Sequence, residues 1–299
     1  MYYLYHILTY FGIYVTLALS LNIVVGYCGL MTLAHAGYYA IGAYSYALGV
    51  CCWGMAPLTA IIFACVIGGI ASILITVPTW RLKGDYFVMA SMAVQVLLYS
   101  TAHNWVKAGS PVGSLQNLTN GPFGIVGIPK PSIGAFSFDT PLAMMLFSLA
   151  IAFLLVIVCR FLLHSPFGRT LQCLRDDELA TRNLGKNVQL FKFKALMFAS
   201  AMAACAGAMY AGYTSYIDPS LASMDQSILL LSMIMVGGVG NLSGPLAGAG
   251  FLLLIPEILR LLHLPDAVAA EMRIMLYGIF LIIVVHFLPH GLAGKQEVE

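Results

Sequence analysis

Charge is what this sequence has least of. Of its 299 residues only 9% are Asp, Glu, Lys or Arg, far below the roughly 25% of soluble domains, and no Lys or Arg precedes Arg81. That scarcity excludes an ordinary soluble fold. The net charge of +2 at pH 7 gives no basis for nucleic-acid binding. A phosphate-cradling G-x-x-x-x-G-K-[ST] loop is missing, so the chain is not itself a P-loop ATPase. The seven cysteines (Cys28, Cys51, Cys52, Cys65, Cys159, Cys173, Cys205) lack ligand-like spacing and read as small apolar residues rather than a metal or redox centre. The histidines, His6, His35, His103, His164, His263, His286 and His290, form no cluster in sequence of the kind an active site needs. Acidic residues fall in loops or near span ends, leaving Glu257 as the one interior carboxylate. Proton- or sodium-driven carriers generally rely on buried carboxylates or unwound carbonyl sites, so ion coupling has little support.

What is abundant is apolar surface. At 61% hydrophobic residues and a mean hydropathy of +0.91, the chain belongs in a bilayer. Apolar runs between polar breaks predict spans at 4–26, 29–50, 57–79, 85–103, 141–163, 193–215, 226–240, 243–262 and 269–288, each of a length that crosses roughly 30 Å of hydrocarbon. The expectation is an all-α, polytopic helical bundle of about eight to ten spans, forming one transmembrane domain over residues 1–299. The opening apolar stretch has no charged n-region and reads as a retained span.

One polar island interrupts this pattern. Seven of the fourteen Lys and Arg residues lie there: Arg160, Arg169, Arg175, Arg182, Lys186, Lys192 and Lys194. If this side is cytoplasmic, alternation of the spans also places Arg81, Lys83 and Lys295 inside, giving ten basic residues inside against four outside (Lys107, Lys130, Arg260, Arg273). The positive-inside rule expects that bias. The loop over 104–140, rich in Gly and Pro, then lies outside and predicts turns with short strands around 124–128. A second external loop spans 216–226.

Two segments are unusually rich in small residues. Val25, Gly26, Gly29, Thr32, Ala36 and Gly37 share the spacing V-G-x-x-G-x-x-[TS]-x-x-x-A-G with Val236, Gly237, Gly240, Ser243, Ala247 and Gly248. Glycine at such positions permits close helix approach, or a local unwinding that presents backbone groups to a cavity. Interrupted segments in two parts of a transporter point to a substrate path, whereas simple helix packing explains the same glycines without one. Candidate path residues are Asn22, Gly26, Gly29, Thr32 and His35 in the first segment, and Gly237, Gly238, Gly240 and Ser243 in the second.

Within the island, Ser165 and Pro166 read as an N-cap followed by proline at the first helical position, and Gly185 as a stop. Leu171, Leu174 and Leu179 form an apolar stripe bordered by Arg175, Asp176, Asp177, Glu178 and Arg182. Such a helix suits a groove on a partner or a bed of lipid head groups.

Several runs in this order resemble a known family: Leu19, Ser20, Leu21 and Asn22 followed by Gly26; Gly29 through Ala36; Gly84-Asp85-Tyr86-Phe87; Thr119-Asn120-Gly121; Ser165-Pro166-Phe167-Gly168-Arg169; Arg175 through Glu178; Leu184-Gly185; and Val236 through Gly240 with Gly244-Pro245. Together they resemble branched-chain amino-acid ABC-importer permeases of the LivM/LivH type, and more closely LivM.

The resemblance implies a multi-pass permease of the bacterial inner membrane that works with a second homologous permease, two cytoplasmic ATPase subunits and an extracytoplasmic solute-binding protein. ATP and Mg would be bound by the ATPases, and this chain would bind no cofactor and be no enzyme. Its cytoplasmic coupling loop would be 164–192, with a coupling helix over about 176–184 and Arg175, Asp176, Asp177, Glu178, Leu179, Ala180 and Gly185 as ATPase-coupling residues. The family's usual Glu-Ala-Ala pattern is altered here to Leu179-Ala180-Thr181 before Gly185. Implied substrates are leucine, isoleucine and valine; alternatives are a permease for urea or short amides, or an ion-coupled carrier.

Overall fold

In the computed structural model, each long helix begins where the sequence supplies a chemical start. The structure describes residues 2–261 except 80, 81, 83, 134, 135 and 139, and beyond these only 272, 275, 276, 278, 279, 282, 286, 291 and 292. Helix α1 (Tyr2–Asn22) runs into a single π turn, Ile23–Tyr27. A non-helical stretch over 28–34 leads to α2 (His35–Cys51). Pro57 opens α3 (Pro57–Ala71), which is offset at Ser72 from α4 (Ile73–Thr79); α5 is Asp85–Asn104. Thr140 caps α6 (Pro141–His164), its side chain accepting from Ala143 N–H at 3.3 Å. Two short helices follow, α7 (Pro166–Asp176) and α8 (Glu178–Asn183). Asn187 caps α9 (Val188–Thr214) and Ser223 caps α10 (Met224–Gly237), while α11 covers Ser243–Leu261.

Among the described residues, four helical segments are long and apolar enough to cross a membrane: Tyr2–Tyr27, Pro57–Thr79, Pro141–His164 and Val188–Thr214. The remaining long helices pack among them: α2 against α3 and α9, and α10 against α11 and α1. These crossings are close because small residues occupy them. A Cβ on Gly207 would collide with the Tyr39 carbonyl and one on Gly42 with the backbone of Ala204, so α2 and α9 touch main chain to main chain. Gly237 and Gly244 do the same for α10 and α11. Without a hydrophobic drive between helices in lipid, such close backbone contact is a main source of association.

The long loop after α5 and the loop after α9 meet. Strand β1 (Ile125–Val126) and β4 (Tyr216–Ile217) pair antiparallel, with Ile125 opposite Ile217 and Val126 opposite Tyr216; β2 (Ser132–Ile133) and β3 (Phe136–Ser137) form a second small ribbon. The expected short strands near 124–128 are thus present, and their partner is the other loop. Leu82, between Arg81 and Lys83, shares a crevice with Gln189 and Lys192 at the start of α9, whereas Lys130 lies with Thr214 at the far end of α9.

Two expectations about local structure are corrected. The second span starts at His35 rather than at 29: Gly29 takes left-handed backbone (φ +72°), and Leu33 N–H donates to Ser91 of α5 instead of to a helical carbonyl. The polar island is not one helix from Pro166 to Leu184 but two, broken at Asp177 (φ −151°, ψ 109°). Ser165 sits at the N-cap position of α7 without capping it; its hydroxyl donates to the Leu162 carbonyl at 2.5 Å.

Candidate functional site

The two glycine-rich segments, 211 residues apart in the sequence register they share, meet at the membrane end that carries α7 and α8. Asn22, the last residue of α1 and almost fully buried, spans the contact. Its Oδ1 accepts from Gly240 N–H at 3.0 Å and its Nδ2 donates to the Asn241 carbonyl at 2.9 Å. Gly26 and Gly240 lie against each other, and a Cβ on Gly26 would stand 2.6 Å from the Gly240 nitrogen. Gly29 (φ +72°) and Gly240 (φ +80°), equivalent positions in the shared spacing, both adopt the left-handed backbone that L side chains resist. Arg175, at the end of α7, closes the group: Nη1 donates to the Gly26 carbonyl at 2.9 Å.

From this junction the first segment climbs back into the bundle in non-helical form, and polar side chains of other helices meet its backbone. Ser91 accepts from Leu33 N–H at 3.0 Å, Gln95 Oε1 from Gly37 N–H at 2.9 Å, and Ser227 from Ala36 N–H at 3.4 Å. Gln95 also donates to the Ala222 carbonyl at 2.6 Å, in the 3-10 turn Pro219–Ala222 that precedes α10. Irregular backbone at membrane depth survives only where protein satisfies it; here Ser91 of α5 meets the unwound stretch, while Gln95 of α5 and Ser227 of α10 meet the first turn of α2. His35 is buried and bonded to Ser20 of α1 at 2.7 Å. Thr32 is buried and accepts from Ala34 N–H.

Of the residues proposed for a path, Asn22, Gly26, Gly29 and Gly240 are therefore brought together. Gly237 and Gly238 serve the tight contact between α10 and α11, Ser243 opens α11, and Thr32 and His35 sit further along the climbing strand. Gln95, Ser91 and Ser227 are not among the candidates selected from the sequence. Their spacing, Ser91 and Gln95 four apart on one face of α5, was the available signal.

The coupling candidates separate into two groups. Asp177 ends α7 and caps α8, accepting from Leu179 N–H at 2.8 Å and Ala180 N–H at 3.0 Å. Glu178 is held by Lys192 of α9 at 3.0 Å. Leu171 and Leu174 of the stripe are buried in the body, whereas Leu179 and Leu184 stand 64% and 75% exposed. Arg175 and Asp176 belong to α7, and the helix expected over about 176–184 is found as α8, Glu178–Asn183. Gly185 terminates it with φ +76°. Glu257 receives the Tyr3 hydroxyl; the side chain of Arg260, its expected partner, lies outside the described residues. Among the described residues no group of His, Cys, Asp or Glu is arranged to hold a metal. A separate cavity of 420 Å³ opens at the opposite end of the bundle, lined by His6, Tyr10, Lys130, Met144 and Tyr213 among others.

A bundle of apolar helices, closed by small-residue contacts and broken by two glycine turns that meet, defines a polytopic membrane permease. Residues 3–285 match the family model described as branched-chain amino acid transport system / permease component, and the chain belongs to that family. It is 29% identical to the high-affinity branched-chain amino acid transport system permease protein LivM of Escherichia coli, over 94% of this chain and 67% of that protein. To the probable LivM permease of Methanocaldococcus jannaschii it is 24% identical, over 98% of this chain and 93% of the relative. The LivH permease of E. coli is 24% identical over 96% and 92%. No solved structure matches the chain.

Proposed function

We propose that this chain is the permease subunit of a binding-protein-dependent ABC importer of the cytoplasmic membrane, carrying leucine, isoleucine and valine. It pairs with a second, homologous permease to enclose the solute path, and two ATPase subunits dock on the side that bears α7 and α8. The LivM and LivH names of its relatives support the solute class and the permease pair. The observation that carries the ATPase contact is the exposure of Leu179 and Leu184 on a short, charged helix whose neighbours are anchored. Two apolar anchors within a charged rim are what a partner groove takes from such a helix. A docked solute-binding protein meets the opposite face, where β1 and β4 join the two external loops. ATP and Mg remain on the ATPases; the work of this chain is to change shape. Amino-acid side chains of this class need an apolar passage, and polar backbone groups suit the zwitterion; the unwound 28–34 strand supplies the latter.

The test is purification of the tagged chain from its native membrane with mass spectrometry of what accompanies it, for wild type and for Leu179→Asp. The wild type should bring a second permease and two ATPase subunits. Leu179→Asp should insert normally, since an exposed position tolerates the change within about 0.5 kcal/mol, yet lose the ATPases and transport. A Leu179→Asp chain that transports like wild type would place the contact elsewhere.

A further inference from the structure

We propose that Arg175 is the positioning residue that carries movement of α8 into the membrane-spanning helices, by bonding the Gly26 carbonyl at the end of α1 while packing beside Gly29 and Gly240. The proposal rests on α8 being the site where the ATPase acts. Arg175 belongs by sequence to the polar island, and its half-exposed guanidinium pairs through Nε with Asp176 at 3.4 Å, but Nη1 reaches the bundle. Nη1 donates to the Gly26 carbonyl at 2.9 Å. That carbonyl lies in the π turn that ends α1, where carbonyl groups run out of intrahelical donors and a cation is favoured.

The same side chain touches the other turns. A Cβ on Gly240 would stand 2.7 Å from Nη1, and a Cβ on Gly29 would stand 2.9 Å from Arg175 Cγ. The turn leading to α2 and the turn joining α10 to α11 thus both keep glycine where Arg175 passes. Asn22 locks the second turn to the end of α1 through Gly240 and Asn241, so a pull on Gly26 is felt by α1, α2, α10 and α11 together.

The link from Arg175 to α8 is short and stiff. Only Asp176 and Asp177 intervene, and Asp177 is fixed by its two hydrogen bonds to the first turn of α8. Leu171 and Leu174, both buried, hold α7 against the body as a lever. Glu178 is tied to Lys192 of α9, which gives α8 a pivot. Coupling of distant sites needs an element whose arrangement both sites bias; the junction of Gly26 and Gly240, bonded to Arg175 through the Gly26 carbonyl and tied by Asn22, is that element.

The experiment compares wild type, Arg175→Gln and Arg175→Lys in the complete complex reconstituted with its ATPases, measuring ATP hydrolysed, labelled leucine taken up and the thermal midpoint. Expected is a complex that retains its ATPases and hydrolyses ATP, while uptake per ATP falls about tenfold, an ordinary size for inter-site coupling. Arg175→Lys keeps the charge but not the fork and should fall between the two. Unchanged uptake per ATP overturns the proposal. So does a parallel loss of hydrolysis and uptake that follows a lowered midpoint, because a helix cap alone would behave that way. If neither variant accumulates, Arg175 is a folding element and the proposal falls. Loss of the ATPases from wild type itself would instead refute the docking of α8, leaving the two failures distinguishable.

Discussion

Asn22 and Gly240, 218 positions apart, are joined by a hydrogen bond of 3.0 Å from the Gly240 amide to the Asn22 side chain. The Nδ2 of the Asn22 side chain in turn donates to the Asn241 carbonyl at 2.9 Å. An asparagine is suited to this, since it carries one acceptor and a donor group on a single planar head. Replacing it with Ala orphans a buried N–H and a carbonyl, at about 1–3 kcal/mol each. Asn22→Ala should therefore lower the thermal midpoint of the purified permease distinctly, and Asn22→Asp, which keeps the acceptor, should lower it less. A wild-type midpoint in the Ala variant would show that the junction does not bear on stability.

Gln95 has a comparable role one layer deeper. It accepts from Gly37 N–H and donates to the Ala222 and Ser223 carbonyls. Gln95→Met preserves its bulk but none of these bonds. The expected result is faster proteolysis around residues 28–37, read by mass spectrometry of the fragments, together with a lower midpoint. Unaltered fragments would mean that the strand is held by its other contacts.

Glycines in the bundle are predicted to differ sharply. Gly207→Ala drives a Cβ into the Tyr39 carbonyl, while Gly69→Ala meets its nearest atom at an ordinary 3.6 Å. The first should reduce the yield of folded protein. The second should be neutral or slightly stabilising, because Ala gains up to about 1 kcal/mol over Gly in a helix. Size-exclusion profiles of the two variants decide it.

The external loops are predicted to be cross-linkable. Val126 and Tyr216 are partners in the β1 and β4 ladder, and opposed residues in antiparallel strands lie about 4.5–5.5 Å apart at Cα, within disulfide range. Val126→Cys with Tyr216→Cys, in a chain whose exposed Cys51, Cys52 and Cys173 are replaced by serine, should form a disulfide on oxidation. Protease cleavage between the two positions then leaves one band until reductant is added. Two bands before reduction would separate the loops.

Much of the fold was legible. The expected 85–103 and 141–163 are observed as Asp85–Asn104 and Pro141–His164, because an apolar run bounded by Pro, Asp or Gly leaves few alternatives. The late start of α2 was not legible. Residues 28–34 are apolar enough for a helix, and what marks the break is Gly29 in left-handed backbone and the bond from Leu33 N–H to Ser91, far away in sequence, with Gln95 and Ser227 meeting the first turn of α2. The break at Asp177 could have been read, since Asp favours an N-cap over a helix interior. The inward turn of Arg175 could not: its partner Gly26 is 149 residues away, and a basic residue in a charged segment carries no sign of its direction.

The central claim is that transport through this chain is driven by ATP on partner subunits. Uptake of labelled leucine should be measured in cells lacking the chain and in the same cells expressing it, with ion gradients collapsed by ionophores while ATP is maintained, and with ATP depleted while the gradients persist. The account predicts that uptake dependent on this chain survives the first treatment and disappears in the second. Uptake that stops with the gradients and continues without ATP would contradict it and favour an ion-coupled carrier.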